Sequence, residues 1–205
     1  MIFAIAANSL IHKRKLCIFL QIIAQKSKRK KKKYHQKNIK VAVGKAGIGP
    51  IAEDMLAEGD VDTALLVIWR LIEKFRIAPC LKYWDRDTTA ERALLSWCKM
   101  KTTNYPRCGA ELTDFHRSWM TGLPFVALLH WREPERINFD PKRTPEEACE
   151  SAFALGEKIG IPRILQISDI CGRTMAPDKQ LVLTYVSEMY RVLNKSHLQD
   201  QLKII

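Results

Sequence analysis

The chain has 205 residues, 47% hydrophobic and 27% charged, with nine Gly and nine Pro. That size accommodates one ordinary domain, or a domain and a fragment, and the composition excludes a wholly disordered, collagen-like or low-complexity chain. Of 34 Lys/Arg, twelve lie in residues 1–40, where there is no Asp or Glu, so residues 41–205 balance 22 basic against 22 acidic side chains and the net +12 belongs to the N-terminal segment. A basic global charge therefore does not identify the body as nucleic-acid-binding, and nucleic acid is not an expected partner.

Residues 1–11 are apolar, residues 12–15 are basic after His12, and a second apolar run fills 16–24. Each run is too short to cross a bilayer. Nothing basic precedes the first run, and the Lys-rich stretch after the second argues against a secretory cleavage site. Seven of the eight residues at 26–33 are basic. The expectation for 1–38 is a solvated, disordered leader, with Lys28, Arg29, Lys30, Lys31, Lys32 and Lys33 as an alternative contact for anionic phospholipid or a nuclear-import patch.

Gly44, Gly47, Gly49 and Pro50 mark a loop that only superficially suggests phosphate binding. Its spacing is neither G-x-G-x-x-G nor a Walker loop, so a turn before a helix is predicted. Residues 61–77 read as an amphipathic helix capped by Asp60 or Asp62, with Val61, Ala64, Leu65, Ile68, Leu71, Ile72 and Phe75 on its apolar face and Pro79 as its stop. Residues 82–87 are a polar connector.

The next helix is expected to open on a capping box, Thr88 with Glu91, and to bury Ala93, Leu94, Trp97 and Cys98. Asn104, Tyr105, Pro106 and Gly109 end that segment, and 114–119 is a short turn or helix. After Gly122, residues 124–131 form a helix apolar on nearly every side, which belongs in a core; Pro134 closes it. Thr144, Pro145, Glu146 and Glu147 start another helix, with Cys149, Ala152, Phe153, Gly156 and Ile159 inward and Gly160 and Pro162 at its end. Pro177 and Asp178 open the last helix, striped by Leu181, Val182, Tyr185, Val186, Met189 and Leu193. No sustained period-two alternation occurs. The reading is an all-α body with four main helices between Ala90 and Asn194 and a core of Trp97, Trp119, Phe125, Leu128, Phe153 and Tyr185.

Little in the chain suggests catalysis. The five His, at 12, 35, 116, 130 and 197, stand in no H-E-x-x-H pattern, and no G-x-S-x-G or kinase signature occurs. His116 and His130 sit among apolar residues and read as packing groups. Glu146 with Glu147 and Asp85 with Asp87 read as capping and solvated pairs. The six Cys, at 17, 80, 98, 108, 149 and 171, form no C-x-x-C and no Cys/His cluster, so no metal or cofactor is expected and a reducing compartment fits.

The residues at 94–106 (LLSWCKMKTTNYP), 114–119 (DFHRSW) and 122–130 (GLPFVALLH), with Arg132, Pro134, Ile137, Phe139 and Asp140, resemble the second calponin-homology domain of tandem actin-binding regions. Ala152, Phe153, Gly156, Glu157, Lys158, Ile161, Pro162, Asp169, Ile170 and the run 177–187 continue the resemblance in order. It is similar in flavour to beta-spectrin, alpha-actinin and the plakins.

Upstream, residues 39–77 resemble the end of a first calponin-homology domain, through 51–54 (IAED), Gly59, Asp60 and 65–72 (LLVIWRLI). In the resembled family that final helix is an actin-contacting segment, which implies F-actin as partner and Arg70, Lys74 and Arg76 as actin-binding candidates. Trp69 reads as core. The family's opening helices have no counterpart in the Lys-rich residues before 39, which implies weakened actin affinity. Thr121 stands where the family usually has Asp, and Pro124 replaces a small or apolar helix residue.

The resemblance thus implies an all-α calponin-homology fold of four main helices plus short ones, preceded by one partial-domain helix. The expected divisions are a leader at 1–38, a first-domain remnant at 39–78, a linker at 79–89, a calponin-homology domain at 90–195 and a tail at 196–205. The expected function is non-enzymatic F-actin binding of the cytoskeletal crosslinker type, in the cytoplasm. The alternative is a phosphoinositide- or membrane-associated adaptor that uses the polybasic leader.

Overall fold

The computed structural model describes residues 29–79, 89–171 and 175–194, and among them there are helices and turns but no strand. The chain divides into two compact units, Met1–Phe75 and Arg76–Ile205.

In the first unit, α1 (Arg29–Ala46), α2 (Glu53–Glu58) and α3 (Val61–Ile72) follow one another; a π-helical turn, Glu73–Ile77, continues α3, with its last two residues in the second unit. Helix α1 begins inside the segment read as a leader and runs across the boundary drawn at residue 38. Its C-terminal half has a reason to be helical: Ile39 and Val43, one turn apart, are buried in a small core with Ile48, Ile51, Leu56 and Val67. Gly47, at φ 60°, ends the helix by donating its N–H to Val43 O at 2.9 Å.

Asp60, not Asp62, caps α3, accepting from the backbone N–H of Thr63 at 2.8 Å and from its hydroxyl at 2.6 Å. These two bonds, the side-chain one foremost, hold the Asp60 carboxyl below its ordinary range.

The apolar face predicted for this helix is borne out in part. Ile68 is buried and Ala64 and Leu71 pack against the small core, but Val61 is 68% exposed and Leu65 about two-fifths exposed, while Thr63 and Val67 are buried in their place and Leu66 is about two-fifths exposed. The sequence of α3, VDTALLVIWRLI, is apolar around most of its circumference. Spacing alone does not choose a face there; the packing of Val67 with Ile39, Val43 and Ile51 does.

The second unit contains α4 (Ala90–Thr102), 3-10 turns at Gly109–Glu111 and Arg117–Trp119, α5 (Leu123–Arg132), α6 (Pro145–Lys158), α7 (Ile167–Ile170) and α8 (Lys179–Leu193). The four main helices expected between residues 90 and 194 are α4, α5, α6 and α8. Helix α5 lies between α4 and α6, and α8 packs on α4.

The caps match the sequence with one correction. Thr144 and Glu147 form the complete capping box at α6, and Asp178 accepts from Leu181 N at 2.9 Å to start α8. At α4 the cap is Thr89 rather than Thr88: its hydroxyl accepts from Arg92 N at 3.3 Å. Glu91 is therefore one position too early to close a box, and it pairs with Lys179 Nζ at 2.9 Å instead.

Trp97, Trp119, Phe125, Leu128, Phe153 and Tyr185 are all buried, as predicted. Phe125 sits at the centre, with ring centroids 4.7 Å from Trp119, 5.6 Å from Phe153 and 5.6 Å from Tyr185. Trp97 meets Tyr190 edge-on at 5.0 Å and Trp131 at 6.3 Å. Such edge contacts contribute about 0.5–1.5 kcal/mol each beyond the area they bury. Close packing requires glycine at 122, where φ is 66° and a Cβ would lie 2.7 Å from Cys149 Sγ. Pro124 falls in the first turn of α5, where its missing N–H costs no helical hydrogen bond.

Candidate functional site

The residues proposed from sequence as contacts for a filament lie on α3 and the turn after it. Leu66, Arg70 and Lys74 follow at four-residue intervals, which places them along one line of the helix surface. Arg70 Nη1 donates to two backbone carbonyls, Pro50 O at 2.6 Å and Ile48 O at 3.1 Å. Lys74 Nζ donates to Gly47 O at 2.7 Å.

The glycine-rich stretch 47–50 is thus clamped by a cation of α3 and one of the turn after it. Its glycines make the approach possible: a Cβ on Gly47 would lie 2.5 Å from Lys74 Nζ, and one on Gly49 would lie 3.1 Å from Arg70 Nη1. Both glycines have positive φ, 60° and 82°. The loop spends its carbonyls on protein cations, as a turn does.

Arg70 and Lys74 are therefore brought together on one rim, Lys74 exposed and Arg70 half-buried. Beside them the exposed Leu65 and Leu66 supply an apolar margin. Arg76 belongs to the second unit and is placed differently. Its Nη1 lies 3.2 Å from Glu188 Oε1. Glu188 Oε2 accepts from Arg191 Nε at 2.9 Å and Nη2 at 2.7 Å.

Sequence reading missed Glu188, which is 3% exposed amid the apolar stripe of α8. Its position between Tyr185 and Met189 and three residues before Arg191 carried a signal, since a carboxylate on a buried face needs cationic partners. The partner at position 76 lies far away in sequence and had no such signal.

Of the alternative lipid contacts, Lys28 lies outside the described residues. Arg29, Lys30, Lys31, Lys32 and Lys33 form the first turns of α1, and their side chains lie outside what the structure describes.

Among the described residues, His116 and His130 serve packing and turn geometry. His130 Nδ1 is 2.8 Å from the Tyr105 hydroxyl, and His116 Nδ1 meets the carbonyl of Pro177. Asp114 organises the turn before Trp119, accepting from His116 N at 2.7 Å and Ser118 N at 3.1 Å. Its partial burial opposes ionisation, but the donors from Ser118 and His116 together keep its carboxyl below the ordinary range. Thr121, where Asp was expected, keeps the turn, with Gly122 N donating to Trp119 O at 3.0 Å, while the Thr121 hydroxyl finds no partner. Among the described residues no group of three or more His, Cys, Asp or Glu is arranged to hold a metal ion. No helix among them is long and apolar enough to cross a membrane.

The model of the calponin homology (CH) domain matches residues 88–195. The chain is 34% identical over 142 residues to alpha-actinin-like protein 1 of Schizosaccharomyces pombe, covering 68% of this chain and 22% of that protein. It is 35% identical over 147 residues to human alpha-actinin-1, covering 70% and 16% respectively. It is 32% identical over 193 residues to alpha-actinin-4 of Gallus gallus, covering 88% and 21%. An alignment of that extent takes in residues before 88, where α1–α3 lie. The chain spans about a fifth of the length of these curated relatives.

Proposed function

The chain belongs to the calponin-homology family, and from that premise we propose that it binds F-actin, as a non-enzymatic protein of the cytoskeletal crosslinker type in the cytoplasm. The observation that carries the reading is the line Leu66, Arg70, Lys74 along α3 and the turn after it, beside the exposed Leu65. A helical face that joins apolar and basic groups suits docking on an acidic filament, where burial supplies affinity and charge supplies orientation. Arg70 and Lys74 are held in place by the 47–50 carbonyls, which lowers the ordering cost of a contact. Arg76 joins such a contact only by giving up Glu188.

The affinity is weak in this proposal, as the departure of the polybasic residues 26–33 from the family's sequence pattern implies. The second reading is a phosphoinositide- or membrane-associated adaptor, favoured by the seven basic residues among eight at 26–33. At roughly 1 kcal/mol per basic residue near an anionic surface, seven charges approach the ~8 kcal/mol of micromolar binding before ordering costs.

Co-sedimentation with F-actin at low and physiological salt, beside flotation with phosphoinositide-containing vesicles, separates the readings. Actin binding is expected to be weak and salt-dependent. Deleting residues 1–38 should remove most of it at low salt, and reversing Arg70 and Lys74 to Glu should remove what survives at physiological salt. Tight actin binding indifferent to both changes would move the contact elsewhere on the chain. Vesicle binding without actin binding would establish the adaptor.

A further inference from the structure

We propose that Cys149 and Cys171 form a modification site: a buried dithiol that closes to an intradomain disulfide when hydrogen peroxide or a low-molecular-weight disulfide reaches it. The two residues are 22 apart in sequence, and their sulfurs are 3.4 Å apart. Cys149 lies on the buried face of α6, and Cys171 directly follows the last residue of α7. Both sit beneath the 120–122 turn: Gly122 leaves the space that Cys149 Sγ fills, and Cys171 Sγ faces Met120 O at 3.9 Å. A disulfide bond is about 2.05 Å long, so the sulfurs need to approach by roughly 1.4 Å, within reach of side-chain rotation.

Access sets the order of events. Cys149 is fully buried, and Cys171 retains 5% exposure. Burial raises both thiols, and Cys149 is pushed further by its neighbour Cys171. Reaction therefore begins slowly at the Cys171 thiolate. Its sulfur attacks one peroxide oxygen, the O–O bond breaks, hydroxide leaves, and Cys171 becomes a sulfenic acid. The Cys149 thiol then attacks that sulfur, the S–O bond breaks, and water leaves with the thiol proton. In total two thiols are oxidised, one peroxide is reduced and two waters form. A dithiol reductant reverses the step by thiol–disulfide exchange.

The link would staple α6 to the end of α7 beneath the turn that starts α5. Closing a loop of this length should raise the thermal midpoint by roughly 5–15 °C.

The test uses the full chain treated with hydrogen peroxide, quenched, alkylated without reduction and digested with trypsin. The expected product joins peptide 144–158 to peptide 164–173, two hydrogens lighter than the pair, and is lost on treatment with dithiothreitol. The oxidised protein should melt higher than the reduced one, and Cys149→Ser and Cys171→Ser should each abolish link and shift. Mapping the link on the unsubstituted chain keeps the test valid if either variant folds poorly. Alkylated thiols at both positions, a sulfinic acid at Cys171 beside a free Cys149, or links to any other cysteine would overturn the proposal. A correct link with no change in midpoint would overturn the stapling.

Discussion

Arg76 Nη1 contacts Glu188 Oε1 at 3.2 Å, so a residue 112 positions earlier in the chain satisfies a carboxylate buried on α8. Arg191 holds the other oxygen of the same carboxylate. The carboxylate side chain is 4% exposed, while the arginines keep 25% and 42% of theirs in solvent. The desolvation cost thus falls mainly on Glu188, and its two cations offset it. Residue 76 consequently acts as part of the second unit's structure.

Glu188→Ala removes the acceptor and leaves two arginines that can turn toward water. It should destabilise the second unit by about 1–3 kcal/mol. Arg76→Ala removes one of two cations and should cost less than Glu188→Ala. Urea unfolding of the three proteins checks the order, and equal stability of all three would show the triad to be energetically idle.

Trp97 is 4% exposed, and its ring packs on Tyr190 and Trp131. Trp97→Ala should cost about 3–5 kcal/mol, much of a domain's stability. Its indole Nε1 has no hydrogen-bond partner. Trp97→Phe therefore loses volume but no hydrogen bond and should cost less than half as much. Thermal or urea unfolding decides, and a Phe variant as unstable as the Ala variant would point to a polar partner.

A fragment of residues 88–195 should fold alone, since its helices carry their own caps and its aromatic core is complete. One beginning at residue 73 should be more stable, because it adds Arg76 and the fully buried Ile77. Calorimetry of both fragments checks the ranking; no cooperative transition in the shorter one would refute autonomous folding.

Asp60 and Asp114 have folded-state pKa values depressed below the ordinary 3.8. Each contribution to stability is therefore present above the unfolded value and is lost as pH falls through the folded one. Asp114→Asn should flatten the acid limb of the second unit's stability, seen as a smaller drop in urea midpoint between pH 5 and pH 2. Asp60→Asn should do so for α3, read by amide exchange at Thr63. An unchanged acid limb in either variant would mean its carboxylate gains nothing from its donors.

Exchange also checks the α3 clamp. Lys74→Ala frees one carbonyl, at Gly47, and Arg70→Ala frees two, at Ile48 and Pro50. Protection at Ile48 and Ile51 should fall further in the Arg70 variant. Equal protection in the two variants would show that the small apolar core alone holds the turn.

The sequence by itself determined the all-α class, the helix starts at Thr144 and Asp178 and the buried aromatic set, because caps and apolar spacing act over three or four residues. It also determined the family, because several motifs recur in order. Only the tertiary structure decided which side of α3 is buried, since that helix is apolar nearly all round and its packing partners select the face. It moved the α4 cap to Thr89, where two adjacent threonines offered the same chemistry. It gave Arg70 and Lys74 the carbonyls of 47–50, gave Arg76 the carboxylate of Glu188 and brought Cys149 to Cys171. These pairings join residues 20 or more positions apart. Local propensity carries no record of them, because they exist only once the chain has closed on itself.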